Sequence, residues 1–299
     1  MAINHLAVIG VGLIGGSLAR ALKSRDYCRR ITGSGRHQGN LEKAVALGVI
    51  DDFSLNPADA VRGADVVLLA TPLATTAPLC RALAPGLGDG AIVTDAGSAK
   101  MSVIEAARAA LPAKHFPNFV PGHPIAGTEK SGVEASFAEL FEKHLVILTP
   151  LPETAAAARE RVADMWRTAG AEVIDMPPGR HDEVLAATSH LPHLLAYALV
   201  DCLARMQERE EIFRFAAGGF AGFTRIASSS PEMWHDICIS NRDALLRMVD
   251  RFGEHLGEVR VAVERGDSAR LLEIFARAKH ARDEFSRKRA AGSSRNDHE

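Results

Sequence analysis

At 299 residues the chain is longer than a single hydrophobic core usually serves, which favours two domains. With 47% hydrophobic residues, 24% charged residues and a net charge of -2, it is composed as an ordinary globular protein, without the basic excess that would draw nucleic acid. No apolar run approaches the roughly 20 residues of a membrane helix, and the scattered Cys28, Cys80, Cys202 and Cys238 form no metal or disulfide framework, so they are expected as free, mostly buried thiols.

The first β-rich run, His5 to Ile9, leaves no room before it for a secretory leader, and a cytoplasmic location is expected. Helical and extended stretches then alternate: Ser17 to Lys23, Arg30 to Ser34, Leu41 to Leu47, Asp65 to Ala70, Pro78 to Leu83 and Ala91 to Asp95. That rhythm predicts a parallel sheet. The nearly continuous apolar runs at 66–70 and 91–94 read as central strands covered on both faces. His144 to Thr149 and Glu172 to Met176, on either side of a helix over 153–169, are expected to extend the same sheet, closing a domain of residues 1–178 at Pro177-Pro178-Gly179.

Beyond Asp182 the strand signal ends, and helical spacing of apolar residues dominates 191–206, 243–263 and 269–285. The expected fold class is α/β: a doubly wound sheet followed by an all-α domain, residues 179–286. Leu194, Leu195, Ala198, Leu199 and Cys202 share one helical stripe that a second copy could cover, so a homodimer is expected. The tail, 287–299, has too little apolar content to order itself.

Gly10, Gly12 and Gly15 give G-x-G-x-x-G between a strand and a helix, with Leu13 and Ile14 inside the motif. This context is that of a Rossmann-type dinucleotide site: a tight turn, an open backbone for the pyrophosphate, and a close helix–strand approach. The alternative is a glycine turn without a ligand. At the end of the second strand an acid would meet the ribose of NAD, but the chain reads Ser34-Gly35-Arg36-His37. Arg36, with Ser34 and His37, suits a 2′-phosphate instead, so NADP is favoured; Arg36 as a solvated cation, with NAD also bound, stays open. Thr71 and Pro72, after the next strand, complete the cofactor set.

Ligands of open α/β sheets sit at the carboxyl ends of strands, where this chain places Thr94 to Lys100 and Pro121 to Thr128. His123, held between Gly122 and Pro124, suits a positioned base. Ser98, on the loop after the strand over 91–95, can contact the cofactor there and can also serve as the N-cap of a helix over 101–110, and the two roles are compatible because a cap fixes the hydroxyl.

These motifs, taken with Ser189-His-Leu-Pro-His193, Phe223-Thr-Arg-Ile-Ala227 and Pro231-Glu-Met-Trp234, resemble the prephenate and arogenate dehydrogenases, in order and over nearly the whole chain. The resemblance implies oxidative decarboxylation of prephenate or arogenate by hydride transfer to NAD(P). It assigns His123 and Ser98 to catalysis, and Arg225, Ser189, His193, Thr128, Glu129 and Trp234 to the substrate. His190 is expected to point elsewhere, and no zinc site is expected among the histidines. Relatives often carry an acid three residues before the arginine, where this chain has Gly222, so an ionic gate on that pair is in doubt. On architecture alone, a 3-hydroxyacid dehydrogenase, an imine reductase or a non-enzymatic dinucleotide sensor also fits.

Overall fold

The computed structural model describes residues 3–295. Residues up to Leu245 form one compact unit and those from Leu246 a second. In the first unit β1 (Ile3–Ile9), α1 (Leu13–Ser24), β2 (Cys28–Ser34), α2 (Gln38–Ala46) and β3 (Asp52–Phe53) are followed by α3 (Pro57–Ala60), β4 (Val66–Leu69), α4 (Thr76–Leu83), β5 (Ile92–Asp95), α5 (Lys100–Arg108) and β6 (Phe119–Val120). The six strands are parallel, in the order β3-β2-β1-β4-β5-β6, with β1 at the point where the chain reverses its direction across the sheet. Side chains alternate across it: Leu6, Val8, Val66 and Leu68 enter one buried cluster, Ala7, Ile9, Val67 and Leu69 the other. Both faces are therefore covered, as the unbroken apolar runs imply.

The later strands depart from expectation. β7 (Gly122–Pro124), β8 (Leu145–Leu148) and, after α6 (Ala156–Thr168), β9 (Glu172–Asp175) make a separate three-stranded sheet, β7-β8-β9, and do not extend the first. The cause lies at Pro121, which has no N–H for a ladder, and at Gly122, whose N–H donates to the Asp95 side chain. The chain thus leaves the first sheet after β6 and turns back antiparallel to β8.

α7 (Pro178–Leu185), α8 (Leu191–Ala204), α9 (Arg209–Arg214), α10 (Gly218–Thr224) and α11 (Pro231–Ser240) complete the first unit, which reaches well past the expected boundary at 178. Between α7 and α8 the backbone forms a π-helical turn, Ala186–His190, in which the Leu191 N–H donates to the Ala186 carbonyl. Pro192 accounts for it, since it cannot donate to the Thr188 carbonyl that an α-helix would assign it.

α12 (Arg242–Glu264) runs from the first unit into the second, where it is followed by α13 (Ser268–Arg295). The tail expected to be unstructured is helical through 295, carried by i,i+4 pairs such as Lys279–Asp283 and Lys288–Glu284; residues 296–299 lie outside the described residues. Of the cysteines, Cys28 and Cys80 are buried, but Cys238 is half-buried and Cys202 exposed, because the stripe of α8 that carries Cys202 and Leu199 lies open in the single chain. Among the described residues, no helix is long and apolar enough to cross a membrane.

Candidate active site

The glycine turn has three distinct geometries. Gly10 has φ +99°, and a Cβ there would lie 2.3 Å from the Ala70 carbonyl oxygen and 2.8 Å from Thr71 Cγ2. A Cβ on Gly15 would lie 2.3 Å from the Gly10 carbonyl oxygen, while Gly12 has nothing within 4 Å. α1 opens at Leu13 and Ile14 with no side-chain cap and no acid in its first turn, so its free N–H groups are left for an anion. The Gly10 N–H donates to the Ser34 carbonyl at 2.8 Å, joining the turn to the end of β2, where Arg36 and His37 are exposed. Gly35 is uncrowded, since a Cβ there would meet nothing closer than Leu41 Cδ2 at 3.7 Å. Pro72 is exposed beside Thr71. An open backbone at Gly12 above uncapped amides fits a dinucleotide pyrophosphate.

His123, on β7, is buried and lies at the head of a hydrogen-bonded chain. Its Nδ1 is 2.8 Å from His181 Nε2, and His181 Nδ1 is 2.8 Å from Asp182 Oδ1. The Asp182 carboxylate also accepts from the N–H groups of Lys100, at 2.7 Å, and Met101, at 2.9 Å. Asp182 therefore caps α5 from a distant part of the chain, and the alternative reading of Ser98 as the cap is corrected: the side chain at that end comes from α7, and the cap position is Ala99. Ser98 stays half-exposed on the loop between β5 and α5.

Lys100 is fully buried. Its Nζ donates to Asp95 Oδ2 at 2.5 Å and to the Gly122 carbonyl at 2.6 Å, tying β5 to the residue before His123. Burial pushes the Lys100 ammonium below its usual range against the pull of Asp95.

Burial also holds His123 well below the usual imidazole range, with His181, Lys100 and His190 pushing the same way. His181 is lowered by burial, although Asp182 opposes it. Burial alone would raise Asp182, but donation from His181 and the two backbone N–H groups outweighs it and keeps the carboxyl low. Near neutrality the chain is thus a carboxylate followed by two neutral imidazoles.

The remaining expected residues fall into two groups. His193 Nδ1 bonds the Ser189 carbonyl at 2.9 Å, and its ring stacks on Trp234 with centroids 3.6 Å apart. Arg225 pairs with Glu129, both exposed, next to Thr128. The arginine thus pairs with an acid on a different loop from Gly222. Thr128 and Glu129 line a cleft of about 1000 Å³ with Lys130, Glu134 and Phe137.

His190 does not point away. It is 1% exposed, in edge contact with Trp234, and burial brings it down to about 4, against the pull of Asp182 and with His181 and His193 adding to the shift. The π-helical turn swings it inward, and Pro192 was the signal that could have located it. His181, Asp182 and Asn241 carried no motif of their own.

Comparison with known proteins agrees with this geometry. The family model described as prephenate dehydrogenase, nucleotide-binding domain, matches residues 18–175, and that described as prephenate dehydrogenase, dimerization domain, matches 177–277. The chain is 42% identical to a cyclohexadienyl dehydrogenase of Zymomonas mobilis, covering 93% of this chain and 95% of that one. It is 38% identical to a Bacillus subtilis prephenate dehydrogenase, covering 94% and 76%. Among solved structures, Aquifex aeolicus prephenate dehydrogenase in complex with hydroxyphenyl propionate and NAD+ is similar, with a TM-score of 0.87 at 35% identity over 95% of this chain and 99% of that one.

Proposed function

This chain belongs to the prephenate dehydrogenase family, and from that premise we propose how its residues perform the family reaction. The protein is an oxidoreductase that uses a nicotinamide dinucleotide and decarboxylates prephenate or arogenate oxidatively, giving 4-hydroxyphenylpyruvate or tyrosine. The single observation that carries the assignment of roles is a buried, neutral His123 at the strand ends beyond the glycine turn.

The bound nicotinamide supplies a hydride acceptor. His123 accepts the proton of the ring hydroxyl as the C–H bond of the same carbon is broken. The ring carboxylate then leaves as carbon dioxide, its bonding electrons complete the aromatic ring, and the proton returns from His123 to the phenolate oxygen. Ser98 orients the hydroxyl and the nicotinamide. Arg225 exchanges Glu129 for a substrate carboxylate, for which its planar fork is suited. Ser189, His193 and Trp234 line the substrate side chain, with Thr128 and Glu129 at the mouth.

Arg36, with Ser34 and His37, favours NADP, supported by the lack of an acid at Gly35. Residues 1–178 are the dinucleotide part and 179–286 the substrate and dimerisation part, a division supported by the family-model limits. The open stripe of α8 supports a homodimer. A cytoplasmic location goes with a freely diffusing cofactor.

The test is to incubate the protein with prephenate or arogenate and each oxidised cofactor while following the absorbance of the reduced form. Turnover with at least one pairing is expected, lost in His123→Ala, with Arg225→Ala raising the substrate KM far more than the cofactor KM. Because burial holds His123 low, the acid limb of the rate should be complete below pH 6.5, the ordinary histidine value. No turnover with any pairing, or His123→Ala at near-normal rate, would overturn the reading.

A further inference from the structure

A neutral imidazole has one N–H and one lone pair, and its function depends on which nitrogen carries which. The neighbours of two buried histidines decide this. Asp182, as a carboxylate, only accepts; it already takes the Lys100 and Met101 N–H groups, so the 2.8 Å contact to His181 must be a donation from Nδ1–H. His181 Nε2 then carries the lone pair, and the 2.8 Å contact to His123 must be a donation from His123 Nδ1–H. The Nε2 of His123 is left with its lone pair.

A second line starts from the same residue. The Asp182 backbone carbonyl, also acceptor-only, faces Asn241 Nδ2 at 2.8 Å, which fixes the amide orientation. The same nitrogen lies 3.0 Å from His190 Nδ1 and donates to it, so His190 must carry its proton on Nε2. That nitrogen is buried and has no partner among the described residues. A buried donor without an acceptor is costly, on the order of 1–3 kcal/mol, and awaits an oxygen that the protein does not supply.

We propose that Asp182 sets His123 and His190 in opposite tautomers, His123 as acceptor for a substrate hydroxyl and His190 as donor to a carboxylate or carbonyl oxygen of the same substrate, with His181 and Asn241 as the positioning residues. The tautomers follow from the hydrogen bonds of buried rings that are neutral near pH 7; their use rests on the reaction assigned above. Because the same carboxylate caps α5, the base and the helix that follows Ser98 are fixed to one point.

The test is long-range 1H–15N spectra of the full-length protein labelled with [15N]histidine, with peaks assigned from single-histidine variants. His123 is expected as Nδ1–H and His190 as Nε2–H; finding His123 as Nε2–H, or both in one form, overturns the proposal. His181→Leu should return His123 to Nε2–H and lower kcat on the order of 10⁴-fold, as a wrong-tautomer base does, with the cofactor KM unchanged. His181→Gln, whose amide oxygen can accept from His123 while its NH2 donates to Asp182, should keep the tautomer and restore kcat to within about tenfold. Equal loss in both variants would remove His181 from this role. Asn241→Leu removes the donor to His190 and to the Asp182 backbone carbonyl but leaves the Asp182 carboxylate on His181, so it should release His190 and raise the substrate KM severalfold while His123 keeps its tautomer; an unchanged KM would remove His190 as donor. Should His181→Leu fail to fold, the wild-type and His181→Gln spectra still decide. The spectra need no substrate, so an inactive protein would leave the tautomers standing, and an active one with His123 as Nε2–H would overturn them alone.

Discussion

Two glycines three positions apart, Gly12 and Gly15, should fail in opposite ways when given a methyl group. At Gly15 the added carbon would sit 2.3 Å from the Gly10 carbonyl oxygen and 2.7 Å from Val8 Cγ1, both far inside contact distance, so α1 must move off β1. Overpacking of this kind costs about 1–3 kcal/mol, and the helix-propensity gain of alanine over glycine, about 1 kcal/mol, offsets part of it. A net loss on the order of 1–2 kcal/mol, and a Tm lowered by several degrees, is expected for Gly15→Ala. At Gly12 the backbone is extended, with φ -109°, and nothing lies within 4 Å of the new carbon. Gly12→Ala should therefore leave the Tm nearly unchanged. Its methyl group fills the space through which the pyrophosphate approaches the helix amides, so the cofactor KM should rise roughly ten- to hundred-fold, the range one misfit methyl costs in a fitted pocket. Circular dichroism melts without cofactor, together with cofactor titrations at saturating substrate, separate the two. Gly12→Ala with wild-type cofactor affinity, or Gly15→Ala with an unchanged melt, would refute the reasoning.

The cofactor preference and the acid response are open to similar tests. Nothing in the backbone at Gly35 forbids a side chain, so Gly35→Asp should be tolerated and should shift the kcat/KM ratio from NADP towards NAD by roughly 10- to 100-fold, the worth of one charge-assisted hydrogen bond. Arg36→Ala should lower kcat/KM for NADP alone; a many-fold wild-type preference for NAD, or equal effects on both cofactors, would reverse the assignment. The lowered histidines predict acid destabilisation: the unfolded chain binds protons near pH 6.5 where folded His123, His181 and His190 do not, so stability is fully present above that pH and is lost as the pH falls. For His190, held down to about 4, the window runs from pH 6.5 to about 4 and is worth on the order of 3 kcal/mol. Urea midpoints at pH 7.5, 6 and 5 should fall in that order, with a shallower fall in His190→Gln; a flat series would mean that these rings take up protons in the folded state.

What was legible in the chain was local or periodic. The glycine turn is read from adjacent residues because its glycines serve one strand–turn–helix unit, and β4 and β5 are read from nearly unbroken apolar runs because both faces are covered. The run at Leu145–Leu148 was equally clear as a strand, yet its sheet was not, since membership turns on Pro121 and on one Gly122 N–H finding the Asp95 carboxylate. His123 stood out through its stiff Gly-His-Pro setting, and a local pattern could say no more of it. The partner that gives it a lone pair is 58 positions away, and the carboxylate that orders that partner caps a helix 82 positions from its own place in the chain. No spacing rule links them, because folding alone brings α7 onto the start of α5.

The same reasoning explains why Asp182 could be passed over as the residue beyond which the strand signal ends. In an exposed helix an acid after a histidine is unremarked, whereas here burial makes each of its hydrogen bonds obligatory, and both carboxylate oxygens and the backbone carbonyl accept from donors on α5, His181 or Asn241. A change as small as Asp182→Ala would therefore act in two places at once: it would uncap α5 and free His181, leaving buried donors on both. The loss of stability should exceed the roughly 1 kcal/mol of a missing cap and approach 3–5 kcal/mol, the cost of breaking a buried charged network. Activity should fall further than stability accounts for, because the molecules that remain folded would hold His123 without a fixed tautomer.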